Sequence, residues 1–359
     1  MSRTQREQPR SWRRGRSCCA KRAGTRGLTL LELIVVLVIL AALGTVMITQ
    51  TAGLTGEARY EQTVRTLEQL EDAVVGRQPV GSEDPTAVLP GFVSDMGRLP
   101  ESEAVTVGGG TVFTLAELWD STLYEADDLF FRPRQLTGLD EGLEMFSGWR
   151  GPYVRLPIGS GALNDGWGAG FDLEDVDGAD VTAGDVAIGA FRSDGSGLGD
   201  DFDPAAPLEV VLVDTTQGID RSTGSLPMDS LTVDYIVPAT GTGGAINGVV
   251  RLYGIVDGLP ALLLQSDVFA VTGTAGTTTS VAVVFDDPDA PGTPLSSFSA
   301  VVGPKVLRAY VITGPAAPPT DPLDPLADLT AEDKSAPLRF TLPAGGLGLL
   351  PTPIRLEGS

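Results

Sequence analysis

The sequence predicts an α+β protein in which a long N-terminal helix, half apolar and half amphipathic, packs on a small antiparallel sheet, and a β-sandwich-like C-terminal domain follows. Three observations predict it. A run from Leu28 to Ile48 carries a single charge, Glu32. A stripe of Tyr60, Val64, Leu67 and Val74 then recurs at i, i+4, i+7 and i+14, with charges between, as on one face of a helix. Beyond residue 207, short β-branched segments alternate with Gly, Pro, Asp and Thr turns, the pattern of an all-β module.

Charge divides the chain sharply. Residues 1–27 hold Arg3, Arg6, Arg10, Arg13, Arg14, Arg16, Lys21, Arg22 and Arg26 against one acid, Glu7. The remainder is therefore more acidic than the overall net charge of −22. Such a surface repels nucleic acid and anionic headgroups and favours cations. The 2 cysteines, Cys18 and Cys19, both lie in the basic leader, and the chain has no histidine. That excludes disulfides, Cys/His zinc sites and histidine acid–base catalysis from the body of the protein. A metal bound there needs oxygen ligands, which favours calcium or magnesium.

At about 1.5 Å per residue, Leu28 to Ile48 is long enough for a bilayer core of roughly 30 Å. The basic residues before it predict a cytoplasmic N-terminus and an exported C-terminal bulk. An acid at the centre of such a helix costs roughly 2.5–3.5 kcal/mol, so Glu32 asks for a reason. A secretory signal peptide has a shorter apolar run, no acid in it and a small-residue cleavage site after it. A plain anchor explains the length but not Glu32.

The stretch "RGLTLLELIVVLVILAAL" resembles the prepilin signal of type IV pilins and type II secretion pseudopilins. The resemblance implies that a prepilin peptidase cuts after Gly27, that Leu28 becomes a methylated N-terminus, and that Glu32 is the fifth mature residue. Leu28 departs from the phenylalanine usual there. The Glu32 carboxylate of one subunit can then lie beside the Leu28 ammonium of another. A buried charge is tolerable when paired, and the pairing sets register more than it adds stability.

After the span, Gly53 and Gly56 weaken the helix by roughly 1 kcal/mol each relative to alanine. The amphipathic part runs to about Val75 and is closed by Gly76 and Pro79. Residues 76–145 read as a mixed, loop-rich region. "FVSDMGRLP" is a short packed segment ending in a turn, and Thr114–Phe131 includes a short helix.

Next come "GWRGPYVRLP", "NDGWGAGFDL" and "VAIGAFRSDGSGLGDDFD", in an order that resembles major pseudopilins. The similarity covers residues 27–203, patchily between 80 and 147. The middle element, Asp165-Gly166-Trp167-Gly168, lacks the family's proline. In the third, Asp194, Asp200 and Asp201 surround Gly195, Gly197 and Gly199. Three carboxylates on a tightly folding loop suit Ca²⁺, which takes 6–8 oxygens, and the resemblance implies calcium in this loop; a solvated turn is the plain alternative. Asp203 and the acidic run Leu173–Asp185 are weaker candidates.

The C-terminal strand signals are "LEVVLV", "LTVDYIV", "GVVRLYGIV", "VFAVTG", "SVAVVF", "VLRAYVI" and "PLRFTL". Gly314–Pro337 is too proline-rich for a central strand and reads as a long exposed loop. The expected organisation is a leader at 1–27, a transmembrane half-helix at 28–50, a pilin-like globular domain at 51–207 and a β-rich domain at 208–359.

The expected function is that of a structural subunit of a periplasmic pseudopilus of type II secretion, which helps extrude folded proteins. The alternative is a type IV pilus or minor pilin subunit with an adhesive or ligand-binding C-terminal β domain. A calcium-dependent hydrolase is a third class, but no nucleophile–base constellation supports it, and the chain reads as no enzyme. Expected partners are other copies, related pilin-like subunits, prepilin peptidase, the inner-membrane assembly machinery, and the inner membrane itself through residues 28–48, with no nucleic acid. The expected location is the bacterial inner membrane, single-pass, with the C-terminal bulk in the periplasm.

Overall fold

Leucine, alanine, glutamate and glutamine are strong helix formers, and no proline interrupts them between Leu30 and Val74. In the computed structural model these residues form one helix, α1 (Leu30–Val74). The structure describes residues 30–77, 89–107, 110–136, 143–157, 160, 162–195, 207–229, 231–236, 246–271, 273–274, 276–287, 290–312, 331–343, 347 and 354–357. Within α1 the threonine hydroxyls turn inward on the helix backbone, Thr45 donating to Ala41 O at 2.7 Å and Thr66 to Gln62 O at 2.9 Å. The chain leaves the helix at Gly76, whose φ of 97° lies in the left-handed region. A Cβ there would sit 2.4 Å from the Leu89 carbonyl oxygen, so glycine is required twice over.

The chain divides into two compact units, Met1–Thr55 and Gly56–Ser359. In the second unit a short helix, α2 (Phe92–Met96), is fully buried. It is followed by two 3-10 turns at Ala116–Leu118 and Ser121–Tyr124, where the sequence suggested one short helix. Leu67, Leu70, Ala73 and Val74 of α1 join Phe92, Val93 and Met96 of α2 in one core cluster, with Trp149, Ile188 and Phe191.

The largest sheet has six strands. Its centre is the antiparallel pair Ile246–Val256 and Gly303–Ile312, flanked by Leu259–Gln265 and Ala331–Lys334. Phe269–Val271 and Leu338–Leu342 complete it. Both faces of the central pair are covered. Val250, Leu252, Leu307, Ala309 and Val311 point into one cluster, and Tyr253, Ile255 and Val306 into another with Leu143 and Met145. Burial on both faces explains why "GVVRLYGIV" reads as a nearly continuous apolar run rather than an alternation.

Three expectations are corrected here. The first is the α+β class. Strand makes up 45% of the structure and helix 21%, so the protein is mainly β. The long helix does not lie on a small sheet; among the described residues its buried side chains are confined to its last turns, from Thr63 onward. In place of one pilin-like sheet and a sandwich there are one six-stranded sheet, two three-stranded sheets and several two-stranded ones. Glycine and proline cut most strands to between two and seven residues, too short to build broad layers.

The second correction concerns the membrane. Among the described residues no helix is long and apolar enough to cross a bilayer. Within α1 the apolar stretch is interrupted by Glu32, Gly44 and Thr45, and charged residues follow from Glu57. The transmembrane assignment, and with it the single-pass inner-membrane location, is overturned by this finding.

The third correction is smaller. Part of the segment expected as a long loop, Ala331–Lys334, is a strand of the six-stranded sheet. Separately, the strand Leu208–Val211 pairs with Ile188–Ser193, and Leu212 and Val213 enter the core cluster of α1 and α2.

Candidate functional site

A helix that is apolar on every side is normally buried. Apart from Glu32, the stretch Leu30–Leu43 of α1 is apolar on every side and exposed. Leu30 is 80% exposed, Leu37 57% and Leu43 55%, and the residues between them follow suit. Leucine, isoleucine and valine shed water most favourably, at about 1.5–3 kcal/mol per side chain fully buried. This surface gains by association with another apolar surface, and a helix presents it as an elongated stripe. Glu32, in the first turn, is the one charge on it and sits where the positive end of the helix dipole favours an anion. Gly27 and Leu28, the predicted cleavage and methylation positions, lie outside the described residues.

A second candidate lies where the calcium loop begins. Strands Asp172–Asp175 and Ile188–Ser193 pair with Asp172 opposite Arg192. Arg192 holds Glu174 through Nη1, lies 3.2 Å from Asp194 through Nε and 3.8 Å from Asp180 through Nη2. Burial lowers its basicity, but Asp194, Glu174 and Asp180 outweigh that and raise it. Asp172 and Asp194 face each other closely enough to share a hydrogen bond. Burial first, then the Asp194 charge, pushes the Asp172 carboxyl above its usual value, with Arg192 opposing. A cleft of about 440 Å³ opens between them, with Phe113 and Phe171 on its walls.

Asp200 and Asp201 lie outside the described residues, and among the described residues no group of three acids is placed to hold a metal ion. Of the predicted ligands the structure therefore places Asp194 alone, beside an unpredicted carboxylate, Asp172. In the acidic run Leu173–Asp185 the strand ends at Asp175 and a turn follows. Asp175 Oδ1 accepts from Asp177 N and Ala179 N at 2.9 Å each.

The motifs before this loop hold the fold together. Asp165, buried, accepts from Trp167 N at 2.9 Å, Ala169 N at 2.8 Å and Ser193 Oγ at 2.7 Å. It thereby fastens the "DGWG" turn to the strand that leads to Asp194. Gly166 N donates to Thr63 Oγ1 of α1 at 2.9 Å, so the turn also grips the helix.

Asp95 of "FVSDMGRLP" accepts from Arg150 Nη2 at 3.0 Å and from Tyr153 Oη at 2.9 Å, both of "GWRGPY". Burial pushes its carboxyl up to about 6, against the Arg150 charge and the tyrosine hydrogen bond. A third support was not predicted. Glu117 chelates Arg98, accepting from Nη1 at 2.9 Å, and also accepts from Glu101 N at 2.7 Å. An arginine and a glutamate nineteen positions apart carry no local signal of pairing.

Among the described residues, then, the motif residues build a scaffold, and the chemistry left over is an apolar helix and an acidic cleft. In comparisons with known proteins, no family model, no curated protein and no solved structure matches the chain.

Proposed function

We propose that the chain is a structural subunit of a pilin-like filament, of the pseudopilus kind that serves type II secretion, and that it assembles with other copies through the first half of α1. The observation that carries this reading is the exposed apolar stripe from Leu30 to Leu43. Parallel copies of one helix bury such a stripe against one another, a geometry in which each added subunit repeats the same contact and a filament results. The basic leader and the Gly27–Leu28 junction supply the processing step in this reading. Cleavage there frees an ammonium at Leu28 four residues before Glu32, and the pairing of the two across subunits sets their axial stagger. In the same reading Asp194, Asp200 and Asp201 hold Ca²⁺. Asp172 fits as a further oxygen donor, because it lines the same cleft as Asp194 and a cation between them offsets the repulsion of the two carboxylates.

The test uses the full chain with Cys18 and Cys19 replaced by serine and a single cysteine at Leu33 or Leu37, produced with and without an active prepilin peptidase. With peptidase, mass spectrometry is expected to find a methylated N-terminus beginning Leu-Thr-Leu-Leu-Glu, and mild oxidation is expected to give disulfide-linked dimers. Glu32→Ala is expected to be cut normally yet cross-link at least tenfold less. An intact leader beside active peptidase, or cysteine variants that stay monomeric, would sink the proposal.

A further inference from the structure

A cavity of about 230 Å³ lies where stretches far apart in the chain meet: the last turn of α1, α2, the start of the strand Gly303–Ile312 and the end of Leu338–Leu342. The filament reading makes no use of it. Burial orders its lining. Ser94, Val302 and Leu342 are buried and form the inner end, and Pro343 is half-buried. Glu71 and Arg221 stand at the mouth, their side chains 33% and 49% exposed. An engineered apolar cavity of about 150 Å³ takes up benzene, so this one has room for the apolar body of a small organic molecule.

At the mouth the Arg221 guanidinium donates from Nη1 to Glu71 Oε1. Among the described residues that is the one bond either charged group makes, so Arg221 keeps its Nε and Nη2 donors and Glu71 keeps Oε2. An ion pair this open to water is weak, and a ligand can share it at little cost. Glu71 also sits in the last turn of α1, where the helix dipole is negative, and that turn carries no basic residue. Carboxylate and dipole together outweigh the single guanidinium. A pull on a cation thus remains beside unused N–H groups suited to an anion. Adjacent charges of both signs, each with atoms to spare, match a molecule that carries both charges close together.

We infer that this cavity binds a free α-amino acid with an apolar side chain, its carboxylate on Arg221, its ammonium on Glu71 and its side chain against Val302, Leu342 and Pro343. The guanidinium fork matches a planar carboxylate, and the buried inner end takes the side chain out of water. Other small molecules fit less well. In a chain with a net charge of −22 a simple organic anion meets general repulsion. A simple cation leaves the Arg221 donors unused. A peptide holds its charged ends apart and cannot set both on one ion pair, whereas a free amino acid carries both charges about one carbon and no net charge.

Isothermal titration calorimetry of the full chain at two temperatures tests the site. The ligands are L-leucine and L-phenylalanine, beside leucinamide, which lacks the carboxylate, and 4-methylpentanoate, which lacks the ammonium. Saturable binding of at least one amino acid is expected, with both analogues at least tenfold weaker than leucine. Arg221→Gln is expected to raise the Kd at least tenfold. Arg65→Gln, an exposed arginine elsewhere on α1, is expected to leave it unchanged. The comparison of ligands on the wild-type chain stands even if a variant fails to fold. A wild-type chain that binds neither amino acid overturns the inference. So does leucinamide or 4-methylpentanoate binding as tightly as leucine, and so does equal affinity in wild type and a folded Arg221→Gln.

Discussion

Two buried ionisable residues give the protein opposite responses to pH. Asp95 holds its proton up to about 6 in the folded state, so the native chain binds more protons than the unfolded one between roughly pH 4 and 6. Its contribution to stability is complete below the unfolded value of 3.8 and is lost as pH rises through 6. Lys305 behaves in the other sense. It is 2% exposed, lies across from Gly254, and has Pro304 O, 3.5 Å away, as its hydrogen-bond acceptor. Burial lowers it to about 7, so the native chain binds fewer protons between 7 and 10.5, and stability rises with pH over that window. A tenfold change in proton affinity between the folded and unfolded chain is worth about 1.4 kcal/mol. Together the two groups place a stability minimum between pH 6 and 7. Melting curves from pH 4 to 9.5 are expected to show it. Lys305→Met is expected to raise the melting temperature at pH 6.5 and flatten the alkaline rise, and Asp95→Asn to flatten the acid side. If Lys305→Met melts lower at pH 6.5 and keeps the alkaline slope, an acidic partner holds the lysine charged in the folded chain.

At the scale of elements, the turns decide most. A Cβ on Gly166 would stand 2.1 Å from the Arg59 carbonyl oxygen, whereas one on Gly170 meets nothing within 4 Å. Gly166→Ala must therefore push the turn off α1, and overpacking of this kind costs about 1–3 kcal/mol. Gly170→Ala is expected to be neutral within about 0.5 kcal/mol, and urea titration of both variants checks the contrast. The acidic cleft gives a second test. If it holds calcium, excess metal raises the melting temperature, by about 2.7 kcal/mol of stability at a hundredfold over its Kd. Asp172→Asn and the double change Asp200→Ala, Asp201→Ala are each expected to lose that increment in calorimetry with and without chelator. A calcium response undiminished in both variants places the ion elsewhere. These elements differed in how legible they were. The helix was plain because propensity and period agree over many turns, and the turn at Asp165 was plain because aspartate and glycine have few uses together. Asp172 was not, because it joins Asp194 only through strand pairing, which no local pattern encodes.

For the molecule as a whole, sequence reading found the strands and missed their company. "GVVRLYGIV" and "VLRAYVI" are strands as expected, yet nothing in either says that they pair with each other across more than fifty residues, or that both faces are covered. The sandwich was inferred from strand content and the small sheet from the helix's amphipathic stripe and the pilin resemblance, and none of these fixes which strands pair. The apolar run was legible as a helix; its ability to span a bilayer did not follow. The same blindness to distant partners hid the fact that Arg251 and Arg308 stand opposite each other across the two central strands, since two arginines in separate strands look like two solvated charges.

The seating of α2 against the central strands sets an order of events. A Cβ on Gly97 would lie 2.0 Å from the Ile255 carbonyl oxygen, and one on Gly303 would lie 2.8 Å from the Ser94 carbonyl oxygen. Backbone therefore touches backbone between stretches far apart along the chain. During synthesis α2 emerges long before residues 246–312 exist, and its buried face must wait for them. Contacts this distant in sequence slow folding, and a chain stopped at the end of the motif-bearing region leaves Phe92–Met96 without its floor. The C-terminal strands are thus a condition for completing the first half, and a truncation that removes them shortens the lifetime of what remains.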